Sequence, residues 1–238
     1  MALLGKGVLA IWNGIAAEAE DEFVAWHVRE HIPERVGLPG FLRGRRYVAV
    51  DGDPKYFNFY ETTGADALTS PVYQARLDAP TEWTRRVVAH FTDTWRTVCD
   101  VAVSHGIGGG GFVDALRLSS AVPPDRFRAA MGALAERLAA APGIVAAHLL
   151  EGRREASGAG SAEKKLRGGP DRVADWVLLV EAVDEAPLRA LRAGDAGDAA
   201  LAAAGAALPV TRGLYRLQYG LAQDEIGTGA VTDARKSA

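Results

Sequence analysis

In the first hundred positions, segments with an apolar residue at every second position alternate with segments in which apolar residues recur about every 3.6 positions. These two periods predict strands and helices, respectively. Alternating or aromatic-rich segments predict strands at residues 6–13, 40–50, 56–62 and 97–104. Acidic residues at 18–22 are typical of the first turn of a helix, which then places Phe23, His27 and His31 on one face. Ser70-Pro71 and Pro80-Thr81 are helix-start signals. A long helix is expected after the second of these, because Trp83, Val87, Phe91, Trp95 and Val98 share helical spacing.

The same order of elements recurs in the second half of the chain. Strands are predicted at 111–120, 144–151, 173–183 and 210–221, with helices at 124–141 and 186–203. The fold class is therefore α+β: two tandem ferredoxin-like β-α-β-β-α-β repeats. Both helices of such a repeat cover one face of its sheet, so we expect the bare faces to meet and to enclose a cavity.

The predicted organisation is repeat 1 over residues 1–106, which carries the candidate site, and repeat 2 over residues 107–221. Small and basic residues at 153–172 replace the tight hairpin turn of repeat 1, and we expect a mobile loop there. The polar residues 222–238 predict a flexible tail.

The composition of the chain limits the kinds of partner that we expect it to bind. The 238 residues are 48% hydrophobic and 24% charged, with a formal net charge of −3, which argues against a nucleic-acid-binding protein. No apolar run approaches the roughly 18–20 residues of a membrane span, and the N-terminus lacks the features of a signal peptide. The single cysteine, Cys99, fits a reducing compartment. We expect a cytoplasmic protein that binds a small molecule and neither nucleic acid nor membrane.

The densest candidate chemistry lies between Trp26 and Arg35, where His27 and His31 are four residues apart and Pro33 follows. Proline removes a backbone donor and disfavours the α region for the preceding residue, so the helix is expected to end or kink near His31. The helix dipole would favour a charged imidazole and burial a neutral one, and either suits general acid/base catalysis. Arg35 could hold a carboxylate or enolate. The alternative is structural: His31 as a C-terminal cap.

The string His27-x-x-Glu30-His31 also matches an inverted zinc-protease motif. The proline after it and the lack of a third ligand argue against a metal, and we predict none.

Strand residues complete the candidate site. Arg43 and Arg45 share a face with Phe41 and Tyr47, and an internal salt-bridge network is favoured over ligand binding for the arginines. On the next strand Phe57 and Phe59 are expected to pack on helices, which would turn Tyr56, Asn58 and Tyr60 toward the cavity. The predicted catalytic residues are His31 and Arg35, and the predicted substrate-binding residues are Trp26, His27, Arg45, Tyr47, Asn58, Tyr60, Tyr73, Trp83 and His90.

With these motifs the chain resembles the dimeric α+β barrel superfamily, and within it the EthD-like proteins. His31-Ile32-Pro33 resembles the family's His-x-Pro at the end of the first helix, and Pro39-Gly40-Phe41 its entry into the second strand. Repeat 2 departs from the pattern, because its first helix contains no histidine. The resemblance implies that the two repeats form an intramolecular dimeric α+β barrel with a pocket between sheet and helices. It also implies relatives that are dimers of single units. A homodimer is thus one expected assembly, although a tandem chain also fits a monomer.

The resemblance leaves three functions open. The first is a cofactor-free acid/base enzyme of monooxygenase, isomerase or cyclase type, acting on an aromatic or polyketide-like carbonyl compound, with His31 as acid/base and Arg35 or Arg45 stabilising an oxyanion. The second is a binding or sensing protein for a small-molecule ligand. The third and weakest is a haem-binding protein, although no cofactor is expected.

Overall fold

A computed structural model describes residues 2–158, 160–167 and 171–227. Its strands are β1 (Gly7–Ile15), β2 (Phe41–Asp51), β3 (Tyr56–Thr62), β4 (Phe91–Gly106), β5 (Phe112–Leu118), β6 (Ile144–Gly152), β7 (Trp176–Ala182) and β8 (Thr211–Ala222). Its helices are α1 (Glu20–Trp26), α2 (Ile32–Val36), α3 (Pro71–Asp78), α4 (Glu82–Val88), α5 (Pro124–Ala139), α6 (Arg154–Gly158), α7 (Ala162–Lys165), α8 (Glu185–Ala193) and α9 (Asp198–Ala203).

The eight strands form one closed antiparallel barrel in the order β1-β3-β2-β8-β5-β7-β6-β4. Each half contributes four strands in equivalent order, β4-β1-β3-β2 and β8-β5-β7-β6, and the halves join at β2–β8 and β4–β6. The predicted α+β class with two ferredoxin-like units in one barrel is confirmed. The boundary between residues 1–106 and 107–221 stays a prediction, because all eight strands share the barrel.

The middle of the barrel lumen is filled with side chains, so the described residues do not enclose the central cavity that was expected between the two sheet faces. Trp12 stacks on Phe57 with ring centroids 4.7 Å apart, and Tyr215 lies against Phe57 from the other half. Eight strands leave an interior just wide enough for such packing. The predicted faces of β3 were therefore reversed: Phe57 and Phe59 point into the lumen. Tyr56 and Tyr60 pack outside it among helical residues.

One end of the lumen holds the salt-bridge network that the arginine spacing favoured. Arg45 donates to both carboxylate oxygens of Glu181 and lies 3.2 Å from Glu61, which also pairs with Arg43. A register shift between Phe41 and Arg43 places Phe41 outside the barrel, contrary to the face predicted by strict alternation.

Three predicted segments differ from the structure. The long helix after Thr81 is wrong: α4 ends at Val88, and residues from Phe91 form β4, which pairs with β1. Aromatic and β-branched residues satisfy both periods over a short stretch, so helical spacing misassigned them. The helix predicted over 186–203 is two helices, α8 and α9.

The predicted loop at 153–172 contains α6 and α7 in its described part, while residues 159 and 168–170 lie outside the described residues. Of the predicted tail, residues 223–225 form a short 3₁₀ turn after β8 and residues 228–238 lie outside the described residues. Within the described chain, no helix is long and apolar enough to cross a membrane.

Candidate functional site

The first helical segment passes through Pro33 without ending. A five-residue π-helical turn, His27–His31, separates α1 from α2, and the Ile32 amide donates to the His27 carbonyl five residues back. Ile32 itself is α-helical, with φ −66° and ψ −47°. Of the two outcomes expected near His31, an end or a kink of the helix, the end is wrong, and a π turn interrupts the regular helix there instead. The wider turn accommodates the proline ring that would clash in a regular α-helix. His27 and His31 lie on the same side of the segment, as their four-residue spacing predicts.

Both imidazoles are buried and stacked. Their ring centroids are 5.2 Å apart at an interplanar angle of 11°, and Trp26 lies 4.2 Å from His31. In each ring Nδ1 is buried and lacks a hydrogen-bond partner. Burial, followed by repulsion from nearby arginines that include Arg35, holds the pKa of both histidines well below 6.5. Both rings are thus neutral bases at pH 7.

A cavity lies beside these rings, between the outer face of the repeat 1 sheet and its helices. It is lined by Leu9, Ile11, Trp26, His27, His31, Arg35, Asn58, Tyr60, Tyr73, Val88, Phe91, Arg96, Glu163 and Arg167. The space open to the centre of a water-sized sphere is about 20 Å³, whereas one water needs roughly 10–15 Å³ by the same measure. The site as packed holds a water or two.

Three arginines line this cavity, and they differ in how their charge is balanced. Arg167 pairs with Asp171 at 3.2 Å. Arg35 donates to Glu34 at 2.6 Å and to Glu163 at 2.5 Å. Arg96, on β4, donates from Nη2 to the Tyr73 hydroxyl at 3.0 Å, while its buried Nη1 has no partner. Among the described residues no carboxylate forms an ion pair with Arg96. Arg96 is therefore the cation that can accept a new anionic partner without displacing an existing one.

The structure brings together seven of the predicted site residues: Trp26, His27, His31, Arg35, Asn58, Tyr60 and Tyr73. Arg45 and Tyr47 lie in the barrel lumen instead. Trp83 packs beside the neighbouring aromatic cluster, and His90 is exposed. Arg96 was missed because its segment was assigned to a helix. Glu163 and Arg167 were missed because α7, which packs against α3 and α4, was expected to be loop.

The equivalent place in repeat 2 serves as an internal comparison. Counting back from the glycines of Pro39-Gly40 and Pro142-Gly143 matches His31 with Leu134 and Arg35 with Leu138. Because the π turn adds one residue to repeat 1, His27 corresponds to Met131. These three repeat 2 residues are fully packed in an apolar core under a regular α-helix. At these three positions repeat 2 has apolar residues, whereas repeat 1 has two histidines and an arginine. Because apolar residues are sufficient for the fold, the polar residues of repeat 1 indicate a candidate ligand site.

The zinc site does not fit the geometry, and a haem does not fit the cavity as it is packed. Glu30, the base of the zinc-protease motif, accepts hydrogen bonds from Trp26 and the hydroxyls of Thr81 and Thr84. In the part of the chain that the structure describes, no three His, Cys, Asp or Glu residues are grouped as metal ligands. A porphyrin does not fit the cavity as packed, since ligand pockets of even drug-sized molecules measure roughly 300–1,000 Å³.

Comparison with known proteins adds evidence on the fold. No family model matches the chain, and no curated protein matches it by sequence. A solved anthrone oxidase-like protein superimposes with a TM-score of 0.63 at 16% identity, covering 94% of this chain and 95% of its own. A candidate monooxygenase from Fusobacterium nucleatum gives 0.57 at 10% identity, covering 92% and 96%. One from Lactobacillus acidophilus gives 0.55 at 10% identity, covering 92% and 97%. The closed barrel and these likenesses show that the chain has the dimeric α+β barrel fold, with both halves in one polypeptide.

Proposed function

We propose that the chain is an acid/base enzyme that needs no bound cofactor, acts on an aromatic or polyketide-like carbonyl compound, and uses His31 to remove a proton from the carbon beside the carbonyl group. The observation that carries this proposal is a buried neutral imidazole sharing a small cavity with a guanidinium that has an unpartnered donor. The C–H electron pair moves onto the carbonyl oxygen as the proton passes to His31. The resulting enolate can then be reprotonated elsewhere, attack within the molecule, or give electrons to dioxygen.

His31 suits the base better than His27 for two reasons. His31 is 7% exposed and His27 2%, so His31 presents more surface to the cavity. Because burial keeps the pKa of His31 low, the ring is unprotonated at neutral pH and ready to accept a proton. His27, stacked on the ring of His31, is assigned as a positioning residue.

The developing enolate oxygen needs donors that do not have to be freed from other partners. Arg96 Nη1 and the Tyr60 hydroxyl are both buried without a partner, and burial raises the pKa of Tyr60, which keeps its proton in place. Such preoriented donors typically stabilise a transition state by several kcal/mol, on the order of 10²–10³ in rate for each. The aromatic walls formed by Trp26, Tyr73 and Phe91 suit a flat substrate.

Entry of such a substrate requires part of the wall to move. Residues Glu163 and Arg167 come from α7 and the turn after it. Among the described residues, the side chain of Glu163 is bound to the helical wall through Arg35, and the Ala162 amide donates to Asp78 of α3. Few polar contacts therefore hold this segment over the site. We assign α7 as the wall that moves aside to admit substrate.

Turnover of aromatic ketones with an acidic C–H tests the proposal, and the anthrone oxidase-like neighbour makes anthrone-type compounds the first panel. Oxygen uptake and absorbance would be followed for the wild type, His31→Leu, Arg96→Met and the control His90→Gln. We expect kcat to fall by roughly 10²–10⁴ in His31→Leu and 10²–10³ in Arg96→Met, with no change in the exposed-histidine control. Undiminished turnover by folded His31→Leu would remove His31 from the reaction.

The unpartnered polar atoms also favour a second candidate, a binding protein without turnover, because they need a ligand whether or not it reacts. In that case the same panel binds to the wild type and to His31→Leu with similar affinity and no compound is consumed. Equilibrium binding measured beside turnover separates the two functions.

A further inference from the structure

A second cavity opens at the opposite end of the barrel lumen from Arg45. The register of β5 with β7 places Val113 beside Glu181 at one end and Arg117 beside Val177 at the other. The cavity at the Arg117 end has a volume of about 340 Å³ and is also lined by Asp53, Asp93, Trp95, Arg172 and Arg212. It lies outside the His31 site, with which it shares no lining residue.

Arg117 is buried there, and no ion pair is formed with it among the described residues. Its side chain is 7% exposed and packs over the rings of Trp12 and Trp95, with Cζ 5.2 and 4.6 Å from their centroids. Its one hydrogen bond runs from Nη2 to the Asp53 carbonyl at 3.0 Å, and its buried Nε and Nη1 have no partner. Within the described ranges no carboxylate forms an ion pair with it. Arg45, at the other end, has two carboxylates.

The neighbouring charges do not make up the deficit. Asp93 is engaged by Arg172 at 2.6 Å, and Arg172 also lies over the Trp95 ring, with Cζ 5.1 Å from the centroid. Arg212 donates to the Ala196 carbonyl. Burial lowers the pKa of Arg117, and the charge of Arg172 adds to this effect. The attraction of Asp53, which forms no ion pair with Arg117 among the described residues, opposes the lowering without cancelling it. A buried guanidinium with two free donors calls for a partner.

We propose that this cavity binds a small oxyanion, a carboxylate or a phosphate, beside the guanidinium of Arg117. The unpartnered Nε and Nη1 donors are closed to solvent as packed, so binding includes a rotation of the guanidinium that presents one of them to the anion. The cavity has room for more than the anion itself, so the ligand can be an organic acid or a phosphorylated small molecule. The guanidinium packs over two indole rings, and binding would not require an ion pair to break. The proposal is independent of the reaction assigned to His31.

The test is calorimetric titration of the full chain with inorganic phosphate and, separately, with acetate and citrate, all at constant ionic strength set with sodium chloride. We expect saturable binding of one anion, and comparing phosphate with the carboxylates identifies which chemistry is preferred. Arg117→Met should weaken that binding at least tenfold. Arg126→Met, which removes an exposed arginine of α5, should leave it unchanged.

A second variant, Arg117→Lys, keeps the positive charge but loses the Nε donor, and we expect its anion binding to be weakened yet measurable. This variant keeps the test decisive if Arg117→Met fails to fold. The proposal is overturned if neither phosphate nor a carboxylate binds saturably to the wild type. It is equally overturned if a folded Arg117 variant binds as tightly as the wild type.

Discussion

Burial of His27 and His31 makes the stability of the fold sensitive to acid, and the double variant His27→Met/His31→Leu should remove the contribution of these two rings. The variant copies the residues that repeat 2 carries at the same places. Both histidines have their pKa lowered in the folded protein, first by burial, so the unfolded chain binds more protons whenever the pH is below about 6.5. Stability is therefore fully present above 6.5 and falls as the pH falls.

The size of the effect follows from proton linkage. A histidine that stays neutral when folded and titrates near 6.5 when unfolded costs about 1.4 kcal/mol for each pH unit below that value. Between pH 6.5 and 5.0 this reaches about 2 kcal/mol for one ring and about 4 kcal/mol for two. We expect the wild type to lose up to that much more stability than the double variant over this interval.

Urea unfolding at pH 7, 6 and 5, extrapolated linearly to water, measures the difference. His90→Gln is the matched control, because His90 is exposed, and its pH dependence should equal that of the wild type. If the double variant loses as much stability as the wild type between pH 6.5 and 5.0, the two rings are not held neutral by the fold.

Two further predictions concern the barrel lumen. Glu181→Ala should cost about 3–5 kcal/mol, because it removes the bidentate partner of buried Arg45. The control Glu151→Ala removes one partner of the partly exposed pair with Arg128 and should cost no more than about 1 kcal/mol. Equal losses of unfolding free energy for the two variants, measured by urea unfolding, would refute the greater importance of the buried pair. Phe57→Ala should cost about 3–5 kcal/mol, since Phe57 contacts aromatic rings from both halves; a loss below about 1 kcal/mol would show that the lumen is not the packed core described.

The order of elements was predictable because each half of the chain repeats the same alternation of periods. Residues 56–62 were assigned as a strand with the bounds that β3 has. The spacing could not predict which face of β3 points into the barrel lumen, because Tyr56–Thr62 is buried on both faces. Alternation then says which residues share a face and not which face meets the lumen, so Phe57 and Tyr60 were exchanged.

The sequence predicted the site residues that belong to a local motif. It did not predict those that only the tertiary structure brings to the cavity. His31 and Arg35 stood out beside Pro33, and spacing placed His27 on the same face as His31, but the π turn that carries the helix through Pro33 has no sequence signature that spacing rules recognise. Arg96 was not predicted as a site residue because its strand begins in a segment with helical spacing. Glu163 reaches the pocket across more than a hundred residues of chain, and only the folded structure brings it to Arg35.

Proton exchange with solvent tests the central claim most directly, because it precedes any later step and does not depend on the final product. An aromatic ketone with an acidic C–H is incubated with the protein in deuterated buffer at neutral pH, and loss of the carbon-bound proton is followed by nuclear magnetic resonance. The account predicts exchange with the wild type and with His90→Gln, and a rate lower by roughly 10²–10⁴ with His31→Leu. Equal exchange rates for folded His31→Leu and the wild type would contradict it.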